Sequence, residues 1–431
     1  MKTSAQENPE AAFDLVLSSA LLPEGGVADI GIRDGRIETL SADAARAERA
    51  LDCSGLLALP SLVNAHTHSA MTLFRGWGDD LPLQRWLEER IWPAEARMTA
   101  DDVRVGTAFA CVEMIRTGTL FFNEMYWHPD AVVDAAVESG LRAVVCGVLI
   151  DMFDPERAAR QKDDSLRLME RIASIPGGRV RFALGPHSPY TVSEETLAWC
   201  AEFSRKYDLP VHIHLSETAQ EVERTHREHG MSPVRYLDRL GLLSDRLYAA
   251  HCVWLEDGDI ELLAERGVKV LHIPASNMKL AVGGTLRLRE LKEAGVTVLL
   301  GTDGCASNNN LDMFEEMKIA ALTQKASFKN PQEVSAAEIW EMATSAACEA
   351  FGLPCGRIEP GYAADLILVD AEDILLTPRH DLVANLVYSA NGYCVRGAVC
   401  DGRVLMWDGR IEGMEEIRAE LVRRAERLCS S

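Results

Sequence analysis

Eight short apolar runs alternate with amphipathic helical stretches through the middle of this 431-residue chain. The runs read LALPSLVNAHTH, TLFFNEM, LRAVVCGVLI, VRFALGPHS, PVHIHLSE, RLYAAHCVWL, VKVLHIPASN and TVLLGTDG. Strands that alternate with helices predict a parallel sheet, and eight such units are the number that closes a (β/α)8 barrel. An open doubly wound sheet is the rival, but no glycine-rich phosphate loop follows the first run. We therefore predict an α/β fold built on a TIM barrel.

Both ends of the chain consist of short strand-like runs separated by turn signals. Asp-Gly pairs at 34–35 and 401–402 are typical of hairpin turns. These patterns predict a second, small β-sandwich domain that is built from both termini. We expect it to comprise residues 1–57 plus 357–431, including a C-terminal helix, with the barrel over residues 58–356.

The composition limits the partners that this protein can have. With 66 acidic and 44 basic residues the net charge is −22, and a nucleic acid would be repelled by such a surface. The N-terminal stretch has no apolar core of signal-peptide length, and no later stretch is long enough to span a bilayer. Eleven cysteines, scattered and without a CxxC pair, predict reduced thiols in a cytoplasmic protein. We expect a small-molecule substrate and a homo-oligomer.

Histidine and carboxylate side chains follow the apolar runs at the point where each run ends. His66 and His68 end the first run, and alternation along a strand places both on the same face. Later runs end in His187, His214 with Glu217, His251 and Asp303. In TIM barrels the chemistry lies at the carboxyl ends of the strands. The sequence therefore predicts one polar site at the barrel mouth.

Three of these histidines and one carboxylate suit a divalent cation. We assign His66, His68, His214 and Asp303 as ligands, a set that fits Zn²⁺ first and Fe²⁺ as the alternative. A two-metal site would need a bridging ligand, such as a carboxylated lysine, at the end of the fourth strand. The stretch at 185–188 reads GPHS and has no lysine. We therefore expect one metal ion per subunit.

These motifs, in this order, resemble the amidohydrolase superfamily over nearly the whole chain. Within it the sequence is most similar to the 5′-methylthioadenosine/S-adenosylhomocysteine deaminases. The stretches that carry the resemblance are HTHSAMTLFRGWGDDLPLQRWLEERIWPAE, GPHSPYTVSEE, HIHLSETAQE, AAHCVWL, HIPASNMKLAVGG, GTDGCASNNNLDMFEEM and GRIEPGYAADLILVD. Triazine hydrolases and other aromatic-ring aminohydrolases share much of this pattern.

The resemblance implies roles for side chains around the metal. Glu217 matches the catalytic acid, and His251 matches the histidine that faces the attacking water. Trp86, Glu95 and His187 match positions that contact the nucleoside, together with Glu217. In the family, the glutamate at the position of Glu95 binds the ribose hydroxyls.

The implied reaction is hydrolytic deamination of an adenine nucleoside, which releases ammonia and the inosine analogue. Asp303, through an oxygen not bound to metal, would accept a proton from water, and His251 would orient the nucleophile. Glu217 would protonate the ring nitrogen beside the attacked carbon. The alternative is an aminohydrolase or chlorohydrolase of a triazine, guanine or pterin ring. Cys305 and Ser216 depart from the family pattern and leave the preferred 5′-substituent open.

Overall fold

The computed structural model describes residues 12–81 and 83–430. Strands in this part of the chain are β1 Phe13–Leu21, β2 Val27–Arg33, β3 Arg36–Thr39, β4 Ala47–Asp52, β5 Leu56–Pro60, β6 Leu62–Thr67, β7 Thr119–Glu124, β8 Arg142–Leu149, β9 Val180–Pro186, β10 Val211–Leu215, β11 Leu247–His251, β12 Lys269–His272, β13 Thr297–Leu300, β14 Leu366–Asp370, β15 Val395–Cys400 and β16 Arg403–Trp407. Helices are α1 Leu83–Trp86, α2 Trp92–Glu95, α3 Ala100–Arg116, α4 Pro129–Ser139, α5 Pro155–Ala173, α6 Glu194–Tyr207, α7 Ala219–His229, α8 Pro233–Arg239, α9 Asp259–Glu265, α10 Pro274–Lys279, α11 Leu288–Glu293, α12 Met313–Phe328, α13 Ala336–Ala343, α14 Ser345–Ala350, α15 Leu382–Tyr388 and α16 Met414–Cys429.

Strands β6 to β13 form a parallel sheet in which each strand pairs with the next along the chain. Polar contacts join the two edges: the Asp303 N–H donates to the His66 carbonyl at 3.0 Å, and Asn64 donates to the Thr302 hydroxyl at 2.7 Å. The helices that connect the strands cover the outside of this barrel. Because the strands are parallel, all their carboxyl ends open at the same mouth.

Strands from both ends of the chain form one hydrogen-bonded sheet, in the order β16-β15-β14-β5-β1-β2-β3, with β4 beside β1. The two ends meet where β5 pairs antiparallel with β14. A TIM barrel with a second β domain built from both termini is thus confirmed. The expected division between residues 57 and 58 falls inside β5, and the domain boundaries stay a prediction.

Two cysteines differ from the expectation of reduced thiols. Cys348 and Cys355 form a disulfide, and their Cα atoms are 5.7 Å apart. The chain turns back after α14, which brings together two residues whose spacing matches no common cysteine motif. The other nine cysteines are free. Among the helices that the structure describes, none has the length and apolarity needed to cross a membrane.

The C-terminal helix α16 is tied to α3 by a buried carboxylate. Asp102, which is 0% exposed, accepts hydrogen bonds from Arg424 at 2.9 Å, from Arg427 at 2.5 Å and from the Thr99 N–H at 2.8 Å. Burial raises the pKa of Asp102, but the hydrogen bonds outweigh it and hold the pKa at about 2. The contribution of Asp102 to stability is therefore present above the ordinary pKa and is lost as the pH falls towards 2.

We expect Asp102→Ala to lower the free energy of unfolding by about 2–4 kcal/mol at pH 7, because it removes charged hydrogen bonds and a helix-capping interaction together. Urea unfolding measures this change. Asp101→Ala, at an exposed position in the same helical turn, is the matched control and should change stability by less than about 0.5 kcal/mol. Equal losses in the two variants would mean that Asp102 does not anchor α16.

Candidate active site

Four side chains at the barrel mouth converge on one point. Nε2 of His66 and Nε2 of His68 lie 3.3 and 3.2 Å from the same oxygen, Oδ1 of Asp303. Nε2 of His214 lies 3.3 Å from Nε2 of His68. The candidate ligand atoms of the three histidines all lie within 4.8 Å of one another. This arrangement brings together the four residues that the sequence analysis assigned to a metal.

The backbone at the strand ends is bent so that these side chains face inward. A register irregularity in β6 lies next to His66. His251 and Asp303 have φ angles of 72° and 64°, in the left-handed region that residues with a Cβ seldom adopt. Such a conformation costs about 1–3 kcal/mol and is common where a side chain must be aimed at a site.

The second nitrogen of each histidine is held by a neighbour. Nδ1 of His68 donates to the Met125 carbonyl at 2.6 Å, and Nδ1 of His214 donates to the His187 carbonyl at 2.9 Å. Nδ1 of His66 lies 2.7 Å from Nε2 of His212. A carbonyl only accepts, so the Nε2 atoms of His68 and His214 present lone pairs to the cluster in the neutral rings.

The chemistry of this donor set fits a divalent cation. Nε2 of His66 is buried and has no hydrogen-bond partner in the described part of the chain, which is costly for a polar atom. Burial lowers the pKa of His214 well below its ordinary value, and the neighbouring histidines add to this effect. Burial raises the pKa of Asp303, but the neighbouring imidazoles of His66 and His68, at 3.3 and 3.2 Å, outweigh it and hold the pKa well below its usual range. Metal binding needs an ionised carboxylate and neutral imidazoles. Burial lowers the pKa of His68, but Asp303 outweighs it and raises the pKa to about 9, so an ion bound here would displace a proton from His68.

The second oxygen of Asp303 is held by two hydroxyl groups. Oδ2 accepts hydrogen bonds from the Ser276 hydroxyl at 2.6 Å and from the Ser307 hydroxyl at 2.9 Å. Sequence reasoning missed both serines, because a serine in a loop or at the start of a helix carries no signal of its own. In the sequence these serines are marked only by their positions, which follow β12 and β13.

A cavity opens above the cluster. The sequence-predicted residues that line it are His68, Trp86, Glu95, His187, His214, Glu217, His251 and Asp303. His66 lies behind this wall and is fully buried. The structure therefore gathers every residue that the sequence analysis singled out for metal, catalysis or substrate.

Glu217 and His251 face each other across this cavity. Oε2 of Glu217 lies 3.9 Å from Nε2 of His251, and Nδ1 of His251 lies 2.8 Å from Oδ1 of Asn277. Burial raises the pKa of Glu217 above its ordinary value. A carboxyl group in this position keeps its proton to a higher pH than an exposed glutamate, as a general acid requires.

Glu95 is held in a fixed orientation on another wall of the cavity. The Tyr126 hydroxyl donates to Oε1 at 2.7 Å, and the Trp127 indole N–H donates to Oε2 at 3.1 Å. Both donors come from the loop after β7, and sequence reasoning missed them. Trp86, 5% exposed, lies nearby in the helical segment that also carries Glu95.

A second, larger groove adjoins the cavity. The two share Glu95, Trp127 and His187 as wall residues, and Arg157 and Gln161 add polar groups to the far side of the groove. A ligand bound over the histidine cluster therefore has room to extend past Glu95.

Known proteins resemble this chain in sequence and in fold. Residues 57–405 match the amidohydrolase family. The chain is 50% identical to the 5′-deoxyadenosine deaminase of Methanoregula boonei, over 89% of this chain and 86% of that protein. It is 42% identical to 5-methylthioadenosine/S-adenosylhomocysteine deaminase 1 of Archaeoglobus fulgidus, over 96% and 98% of the two chains. A crystal structure of an adenosine deaminase from Xanthomonas campestris with bound zinc matches with a TM-score of 0.90 and 35% identity, over 97% of this chain and 99% of that chain.

Proposed function

This chain belongs to the amidohydrolase family, as the sequence predicted, and we propose that it is a metal-dependent hydrolytic deaminase of adenine nucleosides. Its products are ammonia and the inosine analogue, and its candidate substrates are 5′-deoxyadenosine, 5′-methylthioadenosine, S-adenosylhomocysteine and adenosine. The convergence of the His66–His68–His214–Asp303 cluster with the buried acid Glu217 in one cavity carries this proposal. The names of its relatives support the substrate class.

We assign one Zn²⁺ per subunit to His66, His68, His214 and Asp303, with Fe²⁺ as the alternative. The zinc in the similar Xanthomonas campestris structure supports this choice. A zinc ion held by this set supplies the Lewis acidity that makes water nucleophilic near neutral pH. The carbonyls and His212 behind the three imidazoles fix the ring orientations before any ligand binds.

Three groups that line the cavity are assigned to orienting the water and transferring protons. Nε2 of His251 orients the attacking water, and Oδ2 of Asp303 accepts its proton. The Ser307 hydroxyl also lies 3.2 Å from the Gly304 carbonyl, so it can turn its hydrogen away when Oδ2 is protonated. Glu217 donates a proton to the ring nitrogen beside the attacked carbon. Asp303 then passes the proton taken from water to the departing ammonia, and the hydroxyl proton of the adduct returns to Glu217 as the carbonyl forms. Each such role contributes about 10²–10⁴-fold to the rate.

An ammonia-release assay over a substrate panel tests this function. We expect release from the four adenine nucleosides and none from guanine or from an amino-substituted triazine. Activity on guanine or a triazine alone would replace the proposal with the aminohydrolase or chlorohydrolase alternative. We also propose that the protein is a cytoplasmic homo-oligomer. Light scattering on the purified protein tests the oligomeric state.

Glu95 is proposed to bind the ribose hydroxyls. We expect Glu95→Ala to raise KM for adenosine by about 10–100-fold, the equivalent of the roughly 1.5–3 kcal/mol of hydrogen bonds to a charged group. KM for adenine, which lacks ribose, should change little. Glu89→Ala removes an exposed carboxylate from the same helical segment and is the control. An equal rise in KM for adenine and adenosine would contradict ribose recognition.

A further inference from the structure

The carboxyl group of Glu217 has no hydrogen-bond partner among the described residues. Oε2 of Glu217 lies 3.9 Å from Nε2 of His251, beyond hydrogen-bond distance. The direction of this side chain is therefore determined mainly by the backbone that carries it. That backbone follows Ser216, which is buried and has a φ of 52°, an unfavourable conformation for a residue with a Cβ.

Glu221 holds this strained turn. Its side chain is 4% exposed, and each carboxylate oxygen takes one backbone N–H: Oε1 accepts from Ser216 at 2.8 Å, and Oε2 accepts from Glu217 at 2.9 Å. On the other side, the Ser216 carbonyl accepts from the Trp254 N–H at 2.9 Å. The peptide that leads into Glu217 is thus fixed from both sides.

These contacts differ from ordinary helix capping. In α13 the capping box is regular, since Glu338 reaches back to the N–H of the capping residue Ser335 at 2.8 Å. Glu221 occupies the same position in α7, where Thr218 is the capping residue. The Glu221 side chain does not bind the N–H of Thr218. It accepts instead from the N–H groups of the two residues before Thr218, which are Ser216 and the proposed acid Glu217. A capping role alone does not explain this choice of partners.

We propose that Glu221 is a positioning residue for the reaction, which fixes the direction in which Glu217 presents its proton. This inference rests on the proposed function, because it assigns to Glu217 the role of general acid. Glu221 lies outside the cavity wall and acts only through the backbone of Ser216 and Glu217. Small displacements of a catalytic group, on the order of 1 Å, lower rates by about 10²-fold.

The first test is Glu221→Gln, which keeps the size of the side chain but leaves one acceptor oxygen for two N–H donors. We expect kcat to fall by about 10–100-fold, KM for 5′-deoxyadenosine to stay within about twofold, and zinc per chain to be unchanged. Glu338→Gln, in the regular capping box, should leave kcat within about twofold of wild type. Wild-type kcat in Glu221→Gln would overturn the inference. If Glu221→Gln does not fold, Glu221→Asp keeps both acceptor oxygens with a shorter reach, and the same results are expected of it.

A double-mutant cycle separates positioning from a general structural role. In the Glu217→Gln background, Glu221→Gln should lower kcat by less than about twofold, because the proton donor that it orients is already absent. The same 10–100-fold loss in both backgrounds would overturn the inference. A wild-type enzyme that deaminates no adenine nucleoside would instead overturn the proposed function, so the two failures are distinguishable.

Discussion

Glu217→Gln should lower kcat for adenine nucleosides by about 10²–10⁴-fold while the protein keeps its full zinc content. The amide has the shape of the acid but cannot supply a catalytic proton to the ring nitrogen. It should not disturb the metal, because in the described part of the chain no hydrogen bond or ion pair joins Glu217 to any of the four assigned ligands; Oε2 of Glu217 lies 3.9 Å from Nε2 of His251, which is not one of them. Ammonia release gives kcat, and elemental analysis gives zinc per chain.

The pH profile gives a second measure of the same role. Burial raises the pKa of Glu217, so the acid form persists above the ordinary range, and kcat in the wild type should fall as the pH rises through that pKa. The variant should lack this limb of the profile. Glu223→Gln, at an exposed position of α7, is the control and should match wild type. Unchanged turnover in Glu217→Gln would remove Glu217 from the mechanism.

Much of the fold could be predicted because each barrel unit carries its own periodicity. The stretch from 56 to 67 shows where this fails, since the sequence reads as one apolar strand. The structure divides it at Ser61 into β5, which pairs with β14 in the terminal sheet, and β6, which pairs with β7 in the barrel. Apolar periodicity identifies a strand but not the sheet that it joins, because the partner strands are distant in sequence.

The candidate site, like the fold, could be predicted from the sequence only in part. Histidines and carboxylates at strand ends could be found from sequence because rare residue types recur at equivalent positions. The residues that orient these side chains could not be found from the sequence. Ser276, Tyr126 and Glu221 are common types in loops or at helix starts, and what each does depends on a contact with another segment of the chain. Only the three-dimensional structure shows that Ser276 binds Asp303 and that Tyr126 binds Glu95.

His68→Ala should lose its zinc, and the activity with it. His68 is one of four proposed ligands and lies within 3.3 Å of ligand atoms on Asp303 and His214. Replacing a residue that only supports a ligand lowers metal affinity by about 10–100-fold, so removing a ligand should cost at least the upper end of that range. The His68 side chain is 13% exposed at the cavity wall, so truncation should enlarge the cavity and leave the core intact.

Elemental analysis after dialysis should therefore find about one zinc per chain in wild type and less than about a tenth of that in His68→Ala. Circular dichroism should show a folded protein, which separates loss of metal from loss of structure. His226→Ala removes a histidine of α7 that is paired with Glu256 at the surface, and it should keep both zinc and activity. Full zinc content in folded His68→Ala would refute the ligand assignment, because the cluster would then hold its ion without an imidazole that lies within 3.3 Å of two of the other ligands.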